Sequence, residues 1–151
     1  MTFVVLAPST GVVLSLQDVP DPVFAGAVVG PGLAIDPDCV PADVVSPVAG
    51  RLVKLHPHAF VVLAQGGAGV LVHLGIDTVQ LKGEGFTLQV DEGDEVAAGQ
   101  PIVHWDPSMI EAGGRSPICP VVALDATAEA LLDLAPTGPI DVGAPLFRWS
   151  T

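Results

Sequence analysis

The sequence predicts an all-β protein, an antiparallel β-sandwich or barrel with a duplicated sheet and short helical turns, and three observations lead there. Ten short apolar runs are each bounded by Gly, Pro or Asp, the pattern of strands joined by tight turns. The 17 Gly and 15 Pro are scattered without period, which excludes collagen and leaves little room for long helices. Two pairs of segments also resemble one another, as expected of a sheet built twice. At 151 residues the chain is expected to form one domain, residues 1–151, large enough to bury a sizeable core.

In chain order the predicted strands are Phe3–Ala7, Val12–Leu16, Leu33–Ile35, Arg51–Leu55, Ala59–Ala64, Val70–Leu74, Phe86–Val90, Ile102–Trp105, Val121–Leu124 and Pro145–Trp149. Asp106-Pro107 reads as an N-cap followed by Pro at the first helical position, and Gly113-Gly114 ends that turn. Asp125 is expected to cap a second, Ala- and Leu-rich helical turn running to Leu134, before Pro136 stops it. Pro8-Ser9-Thr10-Gly11 and its following strand resemble Pro47-Val48-Ala49-Gly50 and its own. Val96 to Trp105 resembles Ile140 to Trp149 more closely, each with a Gly for the turn and a Pro opening the strand. On that pairing His104 takes the place of Arg148, on the outer face of a strand.

Charge narrows the partners. Seventeen acidic against 5 basic residues give a formal net charge of −12, which repels phosphate backbones and anionic lipid and favours a basic protein partner. Neither a secretory signal nor a spanning apolar run is legible, so a cytoplasmic protein without membrane insertion is expected. P-loop, GxGxxG and GxSxG motifs are absent, as is a basic patch for nucleic acid. Cys39 and Cys119 have no CxxC spacing and are read as small structural residues.

Two histidines carry the chemistry. His58 opens one apolar run and His73 nearly closes the next, with Gln65-Gly66-Gly67-Ala68-Gly69 between them, a hairpin signature. An even-numbered loop centred on Gly66-Gly67 pairs Phe60 with His73 and makes the two histidines diagonal neighbours on one face; a three-residue loop sends them to opposite faces. A histidine in an apolar strand is ordinarily a core residue, whereas two on one face beside an uncrowded Gly75 suit an anion or a metal. For an anion, a neutral imidazole whose Nδ1–H is held by a backbone carbonyl presents Nε2 as a nucleophile. A second imidazole can then donate to the incoming phosphoryl oxygens.

The run Gly67 to Val79, continued by Gln80-Leu81-Lys82-Gly83-Glu84-Gly85-Phe86, resembles the active-site signature of the glucose-type enzyme IIA of the bacterial sugar phosphotransferase system. The resemblance takes in Asp18 to Phe24, Val29 to Ile35, Val45 to Gly50 and His58-Ala59-Phe60, in order. It implies a β-sandwich phosphocarrier that needs no metal or organic cofactor. His73 then matches the residue phosphorylated at Nε2 and His58 its supporting partner. Asp77 matches an acidic residue at the edge of the site, and Gly75 a position that keeps it accessible. The implied donor is the histidine-containing phosphocarrier HPr, and the implied acceptor is the cysteine of an enzyme IIB domain on a permease for glucose, N-acetylglucosamine or a β-glucoside; regulatory protein targets are a further implication.

The sequence also departs from the family. His56 stands where a small polar residue is common and Pro57 follows it; Leu71 and Leu74 replace aromatic residues that flank the phosphorylated histidine. Alternation along His56-Pro57-His58 puts both imidazoles on one face, while Pro57 favours reading His56 as a solvated loop residue. Three rival readings stand beside this one. A zinc peptidase would use His56, His58, His73 and Asp77, but with its motifs in reversed order. A biotinyl or lipoyl carrier fits Glu92 to Gln100 yet lacks a lysine at a hairpin tip, the only lysines being Lys54 and Lys82. A structural interaction domain needs no site at all. Asp77, Asp91, Glu92, Asp94 and Glu95 are expected to steer a basic carrier toward the site.

Overall fold

Each predicted run forms a strand in the computed structural model, which describes residues 1–151. The strands are β1 (Thr2–Leu6), β2 (Gly11–Ser15), β3 (Gly32–Pro37), β4 (Ala42–Val45), β5 (Gly50–His56), β6 (Ala59–Leu63), β7 (Gly69–His73), β8 (Phe86–Leu88), β9 (Glu95–Val96), β10 (Pro101–Trp105), β11 (Cys119–Ala123), β12 (Leu131–Leu132), β13 (Gly138–Ile140) and β14 (Pro145–Ser150). Two short helices are added, α1 (Pro22–Ala25) and α2 (Pro107–Ala112). The sheets run β1-β14-β12, β4-β10-β8 and β13-β2-β3-β11-β7-β6-β5-β9, all with open ends, so the fold is a sandwich and not a closed barrel. All neighbouring strands are antiparallel. Strands β4, β9, β12 and β13 were not anticipated, because two to four residues are too few to display alternation.

The internal similarity is the trace of a pseudo-two-fold axis. Where the halves cross, Leu6 N–H donates to the Pro47 carbonyl at 2.9 Å and Val45 N–H to the Pro8 carbonyl at 3.0 Å. Ala7 and Ser46 N–H likewise donate to Ala144 and Gln100, each at 2.8 Å, and their carbonyls accept from Gly143 and Gly99. The large sheet reads alike from either end, β13 matching β9, β2 matching β5, β3 matching β6 and β11 matching β7. His104 and Arg148 hold equivalent exposed places, as expected, and each finds a carboxylate on its own side: His104 Nδ1 donates to Asp43 at 2.9 Å and Arg148 Nη1 to Asp133 at 3.0 Å. The equivalent Trp105 and Trp149 each pack on a phenyl ring across a strand, Phe86 and Phe3 respectively.

The halves differ most in one connection. Pro57-His58 alone joins β5 to β6, whereas β2 reaches β3 through Leu16 to Pro31, which carries a 3-10 turn (Leu16–Asp18) and α1. This excursion folds onto the outer face of the large sheet, where Leu16, Val19 and Phe24 bury against Ala34, Ile76 and Val122. Between the sheets lies the main core, with Leu52, Phe60, Val72, Leu74, Ile102, Trp105, Leu146 and Phe147 at most 2% exposed.

Several expectations change. The helical turn at Asp106-Pro107 forms as read, with Asp106 Oδ1 accepting from Ser108 N–H. Asp125 caps nothing: it sits at φ 58°, the 3-10 turn covers only Ala128–Ala130, and Leu131 then turns into a strand because it pairs with Trp149 and buries. The His58–His73 hairpin has a three-residue loop closed by Ala64 N–H to the Ala68 carbonyl, so His73 pairs with Ala59 and not Phe60. Cys119 is buried, and burial pushes its thiol up to about 12. Cys39 is exposed and so is not a core residue; its Sγ lies 3.7 Å from Glu111 Oε2.

The core carries the stability. Leu52→Ala is expected to cost roughly 2–5 kcal/mol in urea unfolding, and Arg148→Ala, which breaks only an exposed pair, under about 1 kcal/mol.

Candidate functional site

His56, Ala59 and His73 lie opposite one another on β5, β6 and β7 and therefore share a sheet face. Two strand spacings separate His56 from His73, about 10 Å, and the small Ala59 between them leaves that gap open. His58 fills it. Because it belongs to the two-residue turn Pro57-His58, it is free of the alternation that governs strands, and its ring folds back over the row. The centroid of His58 lies 5.3 Å from that of His73, edge to face, and 5.7 Å from that of His56, stacked at 25°. The three-residue loop does not separate the histidines, contrary to the parity expectation, since that expectation treated His58 as a strand residue. His56 is likewise no loop residue; it ends β5, exposed, in contact with His58.

The residues after β7 aim His73. Its Nδ1 lies 2.6 Å from the Gly75 carbonyl oxygen, which can only accept, so Nδ1 carries the proton and the lone pair of the neutral ring is at Nε2. The loop that presents this carbonyl is held at each neighbouring position. Leu74 N–H donates to the His58 carbonyl at 2.7 Å, Thr78 Oγ1 donates to the Leu74 carbonyl at 2.7 Å, and Ile76 N–H donates to Ser116 at 2.9 Å. Gly75 takes φ 78°, and a Cβ there would meet Thr78 Cγ2 at 2.7 Å and the Ser116 oxygen at 3.0 Å. The glycine is therefore buried and serves backbone conformation; the open space expected beside it is filled.

Of the other residues expected at the rim, Asp77 is exposed, at φ 60°. Leu71 is half-buried and borders a shallow hollow of about 290 Å³ with Lys54, His56, Ala59, Phe60 and Val61. Leu74 is not at the rim: its side chain is fully buried in the core, and only its backbone reaches the site. Two residues were given no role by the sequence reading. Phe24 sets its ring edge-on to His73, with centroids 5.2 Å apart, and Asp21 caps α1 by accepting from Val23 N–H. Asp21-Pro22 is the same Asp-Pro signal as Asp106-Pro107, so α1 and hence Phe24 were within reach of the sequence.

Electrostatics keep both central rings neutral. Burial pushes His73 below the ordinary histidine range, opposed by the Gly75 carbonyl and the carboxylates of Asp21 and Asp77, and burial prevails. Burial, then the neighbouring His73 and His56, push His58 down as well. Charging either ring would strip it of hydration that the site does not fully replace.

An antiparallel sandwich that presents an aimed, neutral imidazole beside a second one has the build of a histidine phosphocarrier. A family model for the phosphoenolpyruvate-dependent sugar phosphotransferase system, EIIA 1, matches residues 3–128, and the chain belongs to that family. It is 43% identical over 120 residues to the glucose-specific EIIA component of Halalkalibacterium halodurans, covering 78% of this chain and 68% of that one. Its counterpart from Staphylococcus aureus is 40% identical over 132 residues, covering 86% and 78%. The solved glucose permease IIA from Mycoplasma capricolum superposes with a TM-score of 0.89 at 32% identity, over 98% of this chain and 96% of that one. The chain is thus a phosphotransferase component that takes a phosphoryl group from HPr and passes it to the EIIB domain of a sugar permease. The peptidase and biotinyl readings fall away, and Lys54 and Lys82 sit within β5 and after a 3-10 turn (Thr78–Leu81), not at a hairpin tip. No helix is long and apolar enough to cross a membrane.

Two outcomes follow from this geometry. Gly75→Ala should cost about 1–3 kcal/mol in chemical unfolding from the backbone conformation alone, and more from the contact with Thr78. Because His58 and His73 bind protons less readily folded than unfolded, stability rises with pH through the window below the unfolded value of about 6.5 and falls as pH drops through it. Melting temperatures from pH 7.5 to 5.5 should decline, and His73→Gln should flatten that decline.

Proposed function

We propose that His73 is the phosphorylated residue, at Nε2, and that His58 stabilises the phosphoryl group in transit. The observation that carries this is the 2.6 Å contact between His73 Nδ1 and the Gly75 carbonyl, which leaves Nε2 as the only free lone pair of the neutral ring. That lone pair attacks phosphorus in line, the bond from phosphorus to the imidazole nitrogen of HPr breaks, and the pair returns to the donor ring. Later the thiolate of the EIIB cysteine attacks the same phosphorus and His73 leaves neutral. Such transfers ask the protein mainly for positioning and for charge to meet the phosphoryl oxygens. On this reading His58, 5.3 Å away at the ring centroid, donates a hydrogen bond to them. Asp77 at the edge and the exposed Glu92, which accepts from Leu55 N–H beside His56, add negative charge that suits a basic donor, whereas Asp94 and Glu95 lie by Leu52 and Arg51 toward the other end of β5.

The whole chain, residues 1–151, acts here as one domain; β14 pairs with β1, and Thr151 N–H donates to the Met1 carbonyl at 2.8 Å, so the last strand is part of the sandwich. Glucose is the sugar, a reading that rests on the names of the relatives above. The cytoplasm is the compartment, because the phosphoryl group starts from phosphoenolpyruvate, a metabolite formed inside the cell.

The test is incubation with phosphoenolpyruvate, enzyme I and HPr, followed by mass spectrometry under alkaline conditions that preserve phosphohistidine. One phosphoryl group on His73 is expected, lost in His73→Gln; label persisting in that variant places the site elsewhere. His58→Gln should still accept the group yet transfer it onward roughly 100-fold more slowly, the size of one lost preorganised donor. Equal onward rates remove His58 from the reaction.

A further inference from the structure

His56 is the outermost of three imidazoles in line, and neither the family resemblance nor the reaction described above assigns it anything to do. Its ring is exposed, lies nearly parallel to that of His58, and is separated from His73 by that one ring. A histidine so placed stands in water, without the burial of the inner rings. Phosphorylation changes what it faces. The attached group carries about two negative charges on its oxygens, offset by one because a ring bonded at Nε2 that keeps its Nδ1–H is cationic, and it does so at a half-buried ring where no arginine is bonded and the nearest carboxylates, Asp21 and Asp77, are negative too.

We propose that His56 is a positioning residue that takes up a proton when His73 is phosphorylated, so that an imidazolium stacked on His58 balances the phosphoryl charge. This rests on the reading of His73 as the carrier. The step is conservative: the phosphoryl group moves from donor nitrogen to Nε2 of His73 with no net proton, and a proton from the buffer then binds His56. When the group leaves to the acceptor cysteine, that proton returns to the buffer. The cation acts through His58, polarising its N–H toward the phosphoryl oxygens by face-to-face contact.

The charges around His56 permit this. On its own strand Lys54 shares the same face, and Lys82 precedes Gly83, which packs against Pro57; both are cations that oppose protonation. From the side of β9, Glu92 favours it, its Oε1 accepting from Leu55 N–H at 2.9 Å. His58 and His73 are neutral before transfer, so the net negative charge that His73 gains with the phosphoryl group is the change that decides the balance.

The experiment is an NMR titration of the ring carbons of the four histidines, with and without phosphoryl group, after mass spectrometry has located the label. The midpoint of His56 should rise by about one pH unit on phosphorylation, a tenfold gain in proton affinity. His104, held by Asp43 on the smaller sheet, should not move. In onward transfer to the EIIB domain, the parent should show a dependence between pH 5.5 and 8 that His56→Gln and His56→Phe both flatten, Phe keeping the stack without the proton. Label on His73 with an unmoved His56, or a Phe variant whose profile superimposes on the parent's, overturns the proposal alone. Label absent from His73 in the parent overturns the reading of the carrier and this proposal with it.

Discussion

A single hydrogen bond, from Nδ1–H of His73 to the carbonyl of Gly75 two residues on, is the constraint around which the site is arranged. A carbonyl can turn back on a side chain so near only if the chain bends sharply at the glycine, and φ 78° supplies that bend. The bend in turn needs anchors, since a residue in the left-handed region gains nothing from its neighbours unless they hold it. Leu74 supplies one on each side, to His58 and to Thr78, and Ile76 supplies the third, to Ser116. Choosing the tautomer of one ring thus occupies five of the six residues from His73 to Thr78 and draws on two other segments of the chain.

The second organising fact is a symmetry that fails most at one place. Ala59 opens β6 and pairs with His73; Gly32 opens β3 and pairs with Val122. Val122 therefore occupies in one half the position of His73 in the other. It is completely buried, because the long connection from β2 to β3 folds over it. In the matching half that connection is two residues long, so the corresponding surface stays open, with His58 at its margin. The displaced segment is used twice: it seals the apolar face around Val122, and it brings Phe24 and Asp21 to the flank of His73. The candidate site lies where the two copies of the sandwich are least alike.

Much of this was legible in the residues. Turn residues bracket the longer strands, the repeat of Val96 to Trp105 in Ile140 to Trp149 announces the two-fold, and the equivalence of His104 with Arg148 holds down to an aspartate partner for each. The idea that a backbone carbonyl would hold Nδ1 was also open to sequence reasoning, as chemistry if not as geometry. What escaped it had physical causes. Strands of two to four residues carry no legible period, and Asp125 resembles a cap until Leu131 is seen to be claimed by Trp149. Hairpin parity governs Cα pairs in strands and says nothing of a turn residue such as His58. Leu74 and Gly75 were assigned to the site for their side chains, or lack of one, when it is their backbone that works there.

One consequence lies in the wall that Phe24 makes. A ring tied at Nδ1, edged by a phenyl on one side and by a second imidazole on the other, has no room to swing. On the role proposed for His73, its Nε2 faces one direction. Donor and acceptor must therefore come to it along the same line and cannot sit there together. The traffic is sequential by construction, each visitor leaving before the next arrives, and the itinerary belongs to the visitors.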